Sequence, residues 1–276
     1  MWSEHYFLSF DGTAMFFRRL EAAKPRAVVQ IVHGMGEHSG RYVELAETLA
    51  SRGFTCYLPD LRGFGKSGGK RGCVRRFEDY FPDLESLRRA IDSREGAIGN
   101  FFLGHSYGGL VVANYLSTHP EAQAQGMILS SPNFGIAIHV PAWRHLLGVL
   151  GSALLPDFTQ PNRVDHKTLT HDLVHLKKHQ DDPLIHDRIS ARLYTELVSR
   201  IRVSEVVASG ISTPSLILQA GEDYVVSRQA TEDFYKALTS PDKTLQVFEG
   251  LYHEILNETS RHAIFSQIGD WLSQRA

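Results

Sequence analysis

The stretch FFLGHSYGGLV, residues 101–111, constrains the fold more than any other part of the chain. An apolar run is followed by GHSYG at residues 104–108, and apolar residues then resume. The five residues match G-x-S-x-G, which forms a strained turn between a strand and a helix and presents its serine, here Ser106. The flanking residues must be small because neighbouring backbone approaches closely. A single match can also be a tight turn without chemistry, so a reactive serine needs its partners elsewhere in the chain.

Strand-like apolar runs alternate with amphipathic segments on both sides of this motif. Residues 27–32 and 55–60 predict buried strands, and residues 41–53 between them carry apolar side chains at helical spacing before a terminal glycine. Such alternation favours an α/β protein with a mainly parallel sheet and helices on both faces. The other predicted strands are residues 5–10, 14–20, 100–105, 126–131, 214–221 and 245–250, and the other predicted core helices are residues 76–95, 106–119, 228–239 and 260–273.

The alternation stops between residues 133 and 206. This stretch contains an apolar segment with small residues, a charged segment rich in histidine, and an amphipathic helix near residues 189–201. We predict one core on eight strands, residues 1–132 and 207–276, with a helical cap, residues 133–206, inserted after the sixth strand. A chain of 276 residues is long enough to bury a core of this size.

Charge and composition exclude several classes of function. Lys and Arg number 29 against 31 Asp and Glu, a formal charge of −2, so the chain lacks the cationic field that nucleic-acid binding requires. Glu4 stands where a signal peptide carries basic residues, and no apolar run reaches the roughly 20 residues of a membrane span, so we expect a cytoplasmic protein. Cys56 and Cys73 are too few for a disulfide framework or a four-ligand zinc site.

Three histidines at four-residue spacing, His171, His175 and His179, could share one side of a helix and bind a metal ion. A solvated helical face is the favoured interpretation, because neither a cysteine nor a convincing set of carboxylates nearby completes the ligand set. We therefore predict no metal site.

A serine hydroxyl becomes a nucleophile only when a base takes its proton, and the base needs an acid that orients it. In proteins with a G-x-S-x-G turn of this kind, the acid and then the histidine come later in the sequence, each on the loop that follows a strand. Glu222 and Asp223 come directly after the strand at 214–221, and Asp223 is preferred because one more residue clears the strand end. His253 follows the strand at 245–250 in the same way, so we predict Ser106, His253 and Asp223 as the catalytic residues.

Acyl transfer at a serine also needs two donors for the oxyanion of the tetrahedral intermediate. One is the N–H of the residue after the nucleophile, Tyr107, and the other comes from the loop after an early strand. That loop begins His33-Gly34-Met35-Gly36, and its glycines allow the backbone to turn an N–H inward. We predict the Met35 N–H as the second donor.

These residues resemble the α/β-hydrolase superfamily and, within it, the monoacylglycerol lipase and lysophospholipase group, whose chains are classed with the S33 serine aminopeptidases. The resemblance covers nearly the whole chain and is more specific than the serine motif alone. The matching segments are HGMGEHSGRY at 33–42, LPDLRGFGKSGGKRG at 58–72, GHSYGG at 104–109, DDPL at 181–184, GEDYVVS at 221–227 and YHEILNE at 252–258.

The resemblance implies a serine hydrolase that cleaves fatty-acyl esters of glycerol through an acyl-enzyme on Ser106, with water as second substrate and no cofactor. Lysophospholipase and general carboxylesterase activities are the alternatives, and a cofactor-free haloperoxidase or C–C hydrolase shares the same fold. Glu37 and Arg41 match polar positions at the glycerol end of the site, although the two side chains could instead form a structural ion pair. His179 stands where many members have Tyr and is a third candidate for head-group binding. Tyr107 stands where the group commonly has Met, which would place a larger polar side chain near the substrate.

The apolar segment at residues 134–158 follows the sixth strand and should lie over Ser106. Three interpretations stay open: packed core, the lining of an acyl-chain tunnel, and peripheral contact with a membrane through Trp143. The expected partners are a lipid monoester and, transiently, a lipid surface, and the sequence leaves the oligomeric state open. In the signature loop, we expect Asp60 and Arg62 to form an internal ion pair that braces the turn.

Overall fold

The structure is a computed structural model that describes residues 1–96, 98–122, 124–138 and 140–276. Its centre is an eight-stranded sheet of order β1-β2-β4-β3-β5-β6-β9-β10. The first two pairings, β1–β2 and β2–β4, are antiparallel, and all the others are parallel, which confirms the predicted mostly parallel sheet. The strands of this sheet are β1 (Trp2–Leu8), β2 (Ala14–Leu20), β3 (Ala27–Val32), β4 (Phe54–Pro59), β5 (Gly99–His105), β6 (Gly126–Ser130), β9 (Ser215–Ala220) and β10 (Lys243–Phe248).

Helices cover both faces of the sheet, as the alternating pattern predicts. Strand β3 is buried along its whole length, and its side chains divide by the period of two that a pleated strand imposes. Val29 and Ile31 pack with the helices at residues 43–51 and 261–273, whereas Val32 packs with those at residues 80–95 and 107–118 on the opposite face. The core helices are α1 (Val43–Ser51), α2 (Tyr80–Glu95), α3 (Tyr107–Thr118), α8 (Arg228–Ala237) and α9 (Arg261–Ser273).

Between β6 and β9 the chain leaves the sheet and forms a separate layer. Its described residues form a short antiparallel pair of strands, which the sequence pattern does not predict, and four helices, of which α4 packs against α6. The last helix crosses residue 206, so the boundary at 133–206 stays a prediction. The elements are α4 (Ala142–Leu154), β7 (Thr159–Pro161), α5 (Leu173–Asp181), β8 (Arg188–Ser190), α6 (Ala191–Arg202) and α7 (Ser204–Ser209).

Helix α4 lies largely at the surface. Only Gly148 and Ser152 of its residues are buried, while Trp143 and Leu146 are each 58% exposed. The packed-core interpretation of this segment is therefore wrong for most of α4. Among the described residues, no helix combines the length and apolar character that are needed to cross a bilayer.

The expected ion pair between Asp60 and Arg62 is wrong. The Asp60 carboxylate instead accepts hydrogen bonds from the backbone N–H groups of Ser39 and Lys66, each at 2.7 Å. Arg62 binds Asp83 of α2 through two hydrogen bonds of 2.7 and 2.8 Å, and Asp11 of the β1–β2 turn at 2.7 Å. The loop carboxylate is thus already occupied by backbone donors, and the guanidinium is bound by acids from two other elements.

Candidate active site

Ser106 lies at the turn between β5 and α3, with φ 51° and ψ −117°, a left-handed conformation that is strained for a residue with a Cβ. The glycines near Ser106 allow this turn because neighbouring backbone approaches them closely. A Cβ on Gly104 would lie 2.6 Å from the Gly108 carbonyl oxygen, and a Cβ on Gly108 would lie 2.3 Å from the Val32 carbonyl oxygen. Both positions therefore require glycine, and the serine is held where β5 meets the N-terminus of α3.

His253 and Asp223 converge on this serine from the loops after β10 and β9. His253 Nε2 lies 3.0 Å from Ser106 Oγ, and His253 Nδ1 lies 2.8 Å from Asp223 Oδ2. The other Asp223 oxygen accepts hydrogen bonds of 2.9 Å from the N–H groups of Val225 and Val226. The structure therefore brings the three predicted residues into one hydrogen-bonded chain, in the order that nucleophilic catalysis by serine requires.

The charges around Ser106, His253 and Asp223 favour a histidine that accepts a proton. Although burial opposes the charged form of Asp223, the His253 imidazole and the two backbone N–H groups hold the pKa of Asp223 below its usual range. Burial also lowers the pKa of His253, but the carboxylates of Asp223, Glu254 and Glu37 together outweigh it. The net result is a His253 pKa above the ordinary value, which favours a histidine that stabilises the positive charge formed during attack.

The loop that carries the predicted donor Met35 approaches Ser106, and the other predicted donor, Tyr107, follows Ser106 in the chain. Gly34 of the loop after β3 lies so close that a Cβ there would be 3.3 Å from Ser106 Cβ. The N–H groups of Met35 and Tyr107 donate no hydrogen bond to any described residue, so both are free to meet a substrate oxygen. The Met35 and Tyr107 assignments stay predictions, because their geometry about an oxyanion is defined only with a substrate.

The side chain of Tyr107 does not line the cavity beside Ser106, contrary to expectation. It is fully buried in the core, where its ring packs edge-on against Phe77 and Tyr80 with centroids 5.9 and 5.7 Å apart. Its backbone directly follows Ser106, whereas its side chain belongs to the α2–α3 interface. The difference from the related group at this position therefore changes core packing.

His105, the residue before Ser106, contacts strand β6 and the ring of His253. Its Nδ1 lies 3.0 Å from the Ser130 carbonyl oxygen, and its ring lies 5.0 Å from the His253 ring between centroids. Burial, followed by the proximity of His253, lowers the pKa of His105 to about 4. A neutral His105 at physiological pH adds no second positive charge beside His253.

Glu37 and Arg41 form a buried network with Glu254, a residue that sequence reasoning missed. Arg41 donates to Glu37 at 2.8 Å and to both Glu254 oxygens at 2.6 and 2.7 Å. Glu37 also accepts hydrogen bonds from the Gly34 N–H at 2.6 Å and the Tyr42 hydroxyl at 2.5 Å. The network thus connects the loop after β3 to Glu254, the residue after His253. In the sequence, only its position next to His253 indicated that Glu254 could belong to the site.

His179 extends this polar network into the cap. It is only 9% exposed, so the solvated-face interpretation is wrong for this histidine, and its Nδ1 lies 3.9 Å from Glu254 Oε1. His166, which sequence reasoning also missed, lies 4.8 Å from His179 between ring centroids. Both ring nitrogens of His179 and Nδ1 of His166 are buried without a hydrogen-bond partner among the described residues. Burial and then Arg41 lower the pKa of His179, so its imidazole is neutral and can both donate and accept.

Ser106, His253 and this polar network open into one cavity of about 360 Å³ between the core and the cap. This size and its mixed lining are typical of small-molecule sites. The described residues contain no group of three or more His, Cys, Asp or Glu that could hold a metal ion. The polar walls include Glu37, Arg41, Asn133, His166, His179 and Glu254, and the apolar walls include Ile138, Val140, Trp143, Leu147, Ile189 and Leu197.

Comparison with known proteins places this geometry in a family context. The family model described as serine aminopeptidase, S33, matches residues 23–260. The chain is 33% identical to a phospholipase of Bacillus subtilis, over 89% of this chain and 94% of that protein. It superposes on the crystal structure of a monoacylglycerol lipase from Paleococcus ferrophilus with a TM-score of 0.86 and 31% identity, covering 94% of this chain and 99% of that one.

Other relatives are longer than this chain. It spans 27% of the length of an uncharacterized abhydrolase domain-containing protein from Dictyostelium discoideum, at 30% identity over 91% of this chain. It spans 47% of the length of an uncharacterized protein from Escherichia coli, at 34% identity over 98% of this chain. The similarity to both proteins therefore covers one segment of each.

Proposed function

This chain belongs to the serine aminopeptidase S33 family and has the α/β-hydrolase fold, and we propose that it is a carboxylic ester hydrolase acting through Ser106. The observation that carries the proposal is the continuous chain from Ser106 Oγ through His253 to Asp223, with hydrogen bonds of 3.0 and 2.8 Å. Ser106 and His253 line a cavity whose walls are partly apolar, which suits an ester of a fatty acid.

The reaction follows from these contacts in two halves. Ser106 Oγ attacks the ester carbonyl carbon while His253 Nε2 takes the hydroxyl proton, and the N–H groups of Met35 and Tyr107 bind the resulting oxyanion. Collapse of this intermediate breaks the bond to the alcohol, which leaves with the proton from His253. Water then attacks the acyl-enzyme, His253 again accepts and returns a proton, and the carboxylic acid is released.

We propose a monoacylglycerol as the substrate. The polar wall carries two buried carboxylates, Glu37 and Glu254, against the single guanidinium of Arg41 that joins them. Because its excess charge is negative, this wall suits a neutral polyol better than a phosphate. The unpartnered nitrogens of His166 and His179 supply donors and acceptors for hydroxyl groups. The monoacylglycerol lipase structure at 31% identity supports this choice, whereas the similarity to a phospholipase supports a lysophospholipid as the alternative.

Labelling and turnover test the proposal together. We expect a fluorophosphonate to label the wild type and Ser106→Ala to abolish both labelling and ester turnover, by at least about 1,000-fold. Ser117→Ala, on the same helix but outside the cavity lining, is the matched control and should retain wild-type activity. A wild type that is neither labelled nor active, or a Ser106→Ala variant that keeps its activity, would exclude this chemistry.

A substrate series separates the head groups. We expect the kcat/KM for a monoacylglycerol to exceed that for a lysophosphatidylcholine and for a methyl ester of the same acyl chain. His166→Phe and His179→Phe should reduce the preference for monoacylglycerol over methyl ester, because the methyl ester has no hydroxyl to bind. A higher kcat/KM for the lysophospholipid would favour the phospholipase alternative.

We also propose that residues 133–206 form a cap that delivers the substrate from a lipid surface. Apolar side chains on and around α4 are exposed to an extent that is unusual for a protein without an apolar partner, from 37% at Val140 to 77% at Leu154. Trp143 and Leu147 of the same helix also line the cavity, so the exposed face is continuous with the site. A lipid monoester could therefore pass from a bilayer along α4 to Ser106 without full exposure to water.

Vesicle co-sedimentation tests the lipid contact. We expect Leu146→Glu combined with Leu150→Glu to abolish binding to phosphatidylcholine vesicles and to slow hydrolysis of long-chain substrate in micelles. Turnover of a water-soluble short-chain ester should be unchanged, because neither residue lines the cavity. The control is Val206→Glu, which alters a 72% exposed apolar residue on α7. Equal vesicle binding by both variants would contradict a role for α4.

A further inference from the structure

A cap segment, residues 169–172, is bonded directly to the loop that carries the catalytic histidine. The Glu254 N–H donates to the Leu169 carbonyl oxygen at 2.8 Å, and the Thr170 hydroxyl donates to the Asn257 carbonyl oxygen at 2.9 Å. Arg261, at the start of α9, binds Asp172 at 2.9 Å. Successive residues of the cap are thus bonded to the histidine loop and to the start of α9.

Glu258 is the centre of this connection. It is 0% exposed, and its Oε1 accepts a hydrogen bond of 3.1 Å from the Tyr252 N–H. The same carboxylate lies 2.8 Å from Nδ1 of His171 and accepts a hydrogen bond of 3.2 Å from the His171 N–H. A buried carboxylate of this kind is stable only with such donors, so its position is set by the loop and the cap together.

The two backbone N–H groups that flank His253 are therefore both held. The one before it, on Tyr252, binds Glu258, and the one after it, on Glu254, binds the cap at Leu169. The His171 ring also stacks on the Tyr252 ring, with centroids 3.7 Å apart and planes 26° from parallel. His171 thus contacts Tyr252, the residue before the catalytic histidine, both through Glu258 and through its ring.

We propose that His171 and Glu258 are positioning residues, which fix the His253 imidazole between Ser106 and Asp223. The two hydrogen bonds of that imidazole, 3.0 and 2.8 Å, require the loop backbone to stay in place to within a fraction of an ångström. The cap therefore has a second role beside covering the cavity, because it holds the catalytic base. This inference rests on the proposed ester hydrolysis at Ser106.

His171 is the better residue to test, because its side chain is 43% exposed and its removal should leave the fold intact. We expect His171→Ala to lower kcat by about tenfold with little change in KM, since a displaced His253 weakens the transition state and leaves the cavity unaltered. His171→Asn should restore most of the loss, because its amide N–H can replace Nδ1 as the donor to Glu258. His262→Ala, at a 68% exposed histidine on α9, is the matched control.

The rate of fluorophosphonate labelling of Ser106 gives a readout that needs no ester. It should fall in His171→Ala by the same factor as kcat, measured at a temperature at which the variant is fully folded, and recover in His171→Asn. Unchanged kcat and labelling, a change confined to KM, or a loss that asparagine does not restore would each overturn the role of His171. A wild type that is labelled but hydrolyses no ester would reject the proposed function alone, and labelling rates would still decide the positioning role. A wild type that is not labelled would overturn both.

Discussion

Replacing Arg41 by methionine removes the guanidinium that joins Glu37 and Glu254 and keeps most of the aliphatic stem. The three side chains are only 8%, 5% and 6% exposed, so both carboxylates would remain in the interior without their cation. Removing one partner of a buried ion pair costs about 3–5 kcal/mol. Since Glu37 keeps its hydrogen bonds from Gly34 and Tyr42, we expect the free energy of unfolding to fall by about 3 kcal/mol, at the lower end of that range.

The loss should depend on pH, because it comes from uncompensated negative charge. In the wild type, burial opposes ionisation, but Arg41 and the neighbouring histidines together outweigh it, so the pKa values of Glu37 and Glu254 lie below the ordinary 4.5. Lowered pKa values add stability that is present above pH 4.5 and is lost as the pH falls further. Without Arg41, burial raises the pKa values of both carboxylates. As the pH falls, the carboxylates of the variant therefore become protonated at a higher pH than those of the wild type, and protonation removes their uncompensated charge. The difference between wild type and Arg41→Met should thus be larger near pH 8 than near pH 5.

Urea denaturation followed by tryptophan fluorescence at both pH values measures these differences. The control is Arg52→Met, whose partner Asp270 is 65% exposed and whose own side chain is 30% exposed. An exposed pair contributes at most about 1 kcal/mol, so this variant should be close to wild type at both pH values. The reasoning is refuted if Arg41→Met loses no more stability than Arg52→Met, or if its loss is the same at both pH values.

Three further outcomes follow from the site and the turn. Glu254→Gln should move the acidic limb of the kcat/KM profile to lower pH, because the Glu254 carboxylate raises the pKa of His253; an unmoved limb would contradict this. Tyr107→Phe should keep kcat/KM within about twofold of wild type, since its hydroxyl lies in the core, and a tenfold loss would place that hydroxyl in the chemistry. Gly108→Ala should lower the free energy of unfolding by about 1–3 kcal/mol or more, because its Cβ meets a carbonyl oxygen. Gly151→Ala in α4 should stay within about 1 kcal/mol of wild type, and equal losses in urea would show that the turn tolerates a side chain.

The core could be predicted because local pattern determines its elements. Strand β5 extends over Gly99–His105 where the apolar run predicts residues 100–105, and α3 extends over Tyr107–Thr118 where the pattern predicts 106–119. Apolar runs bounded by glycine and polar residues identify buried parallel strands, and their order along the chain gives the loops that carry an acid and a histidine. The positions of Ser106, Asp223 and His253 follow from the same local signals.

Contacts between distant segments could not be predicted in this way. Thr170 and Asn257 are 87 residues apart in sequence, and Arg41 and Glu254 are 213 residues apart. The two-residue period of strands and the 3.6-residue period of helices show which side chains share a face, but they do not specify which acid contacts which base across such a separation. His166 offered no local signal beyond its place in the insertion, because its contact with His179 depends on how the cap folds.

The position of Tyr107 shows where selectivity for the substrate should be found. Tyr107 follows Ser106 and stands where the related group commonly has Met. Judged from the sequence alone, this difference suggests an altered substrate pocket. In the structure its ring packs against Phe77 and Tyr80, because the first residue of α3 directs its side chain toward α2 and its backbone toward the site. Two histidines of the cap, His166 and His179, do line the cavity, and Nδ1 of His166 and both ring nitrogens of His179 have no hydrogen-bond partner among the described residues. A change of head-group preference should therefore come from exchanging these two cap residues, while exchange of Tyr107 alters stability and leaves selectivity unchanged.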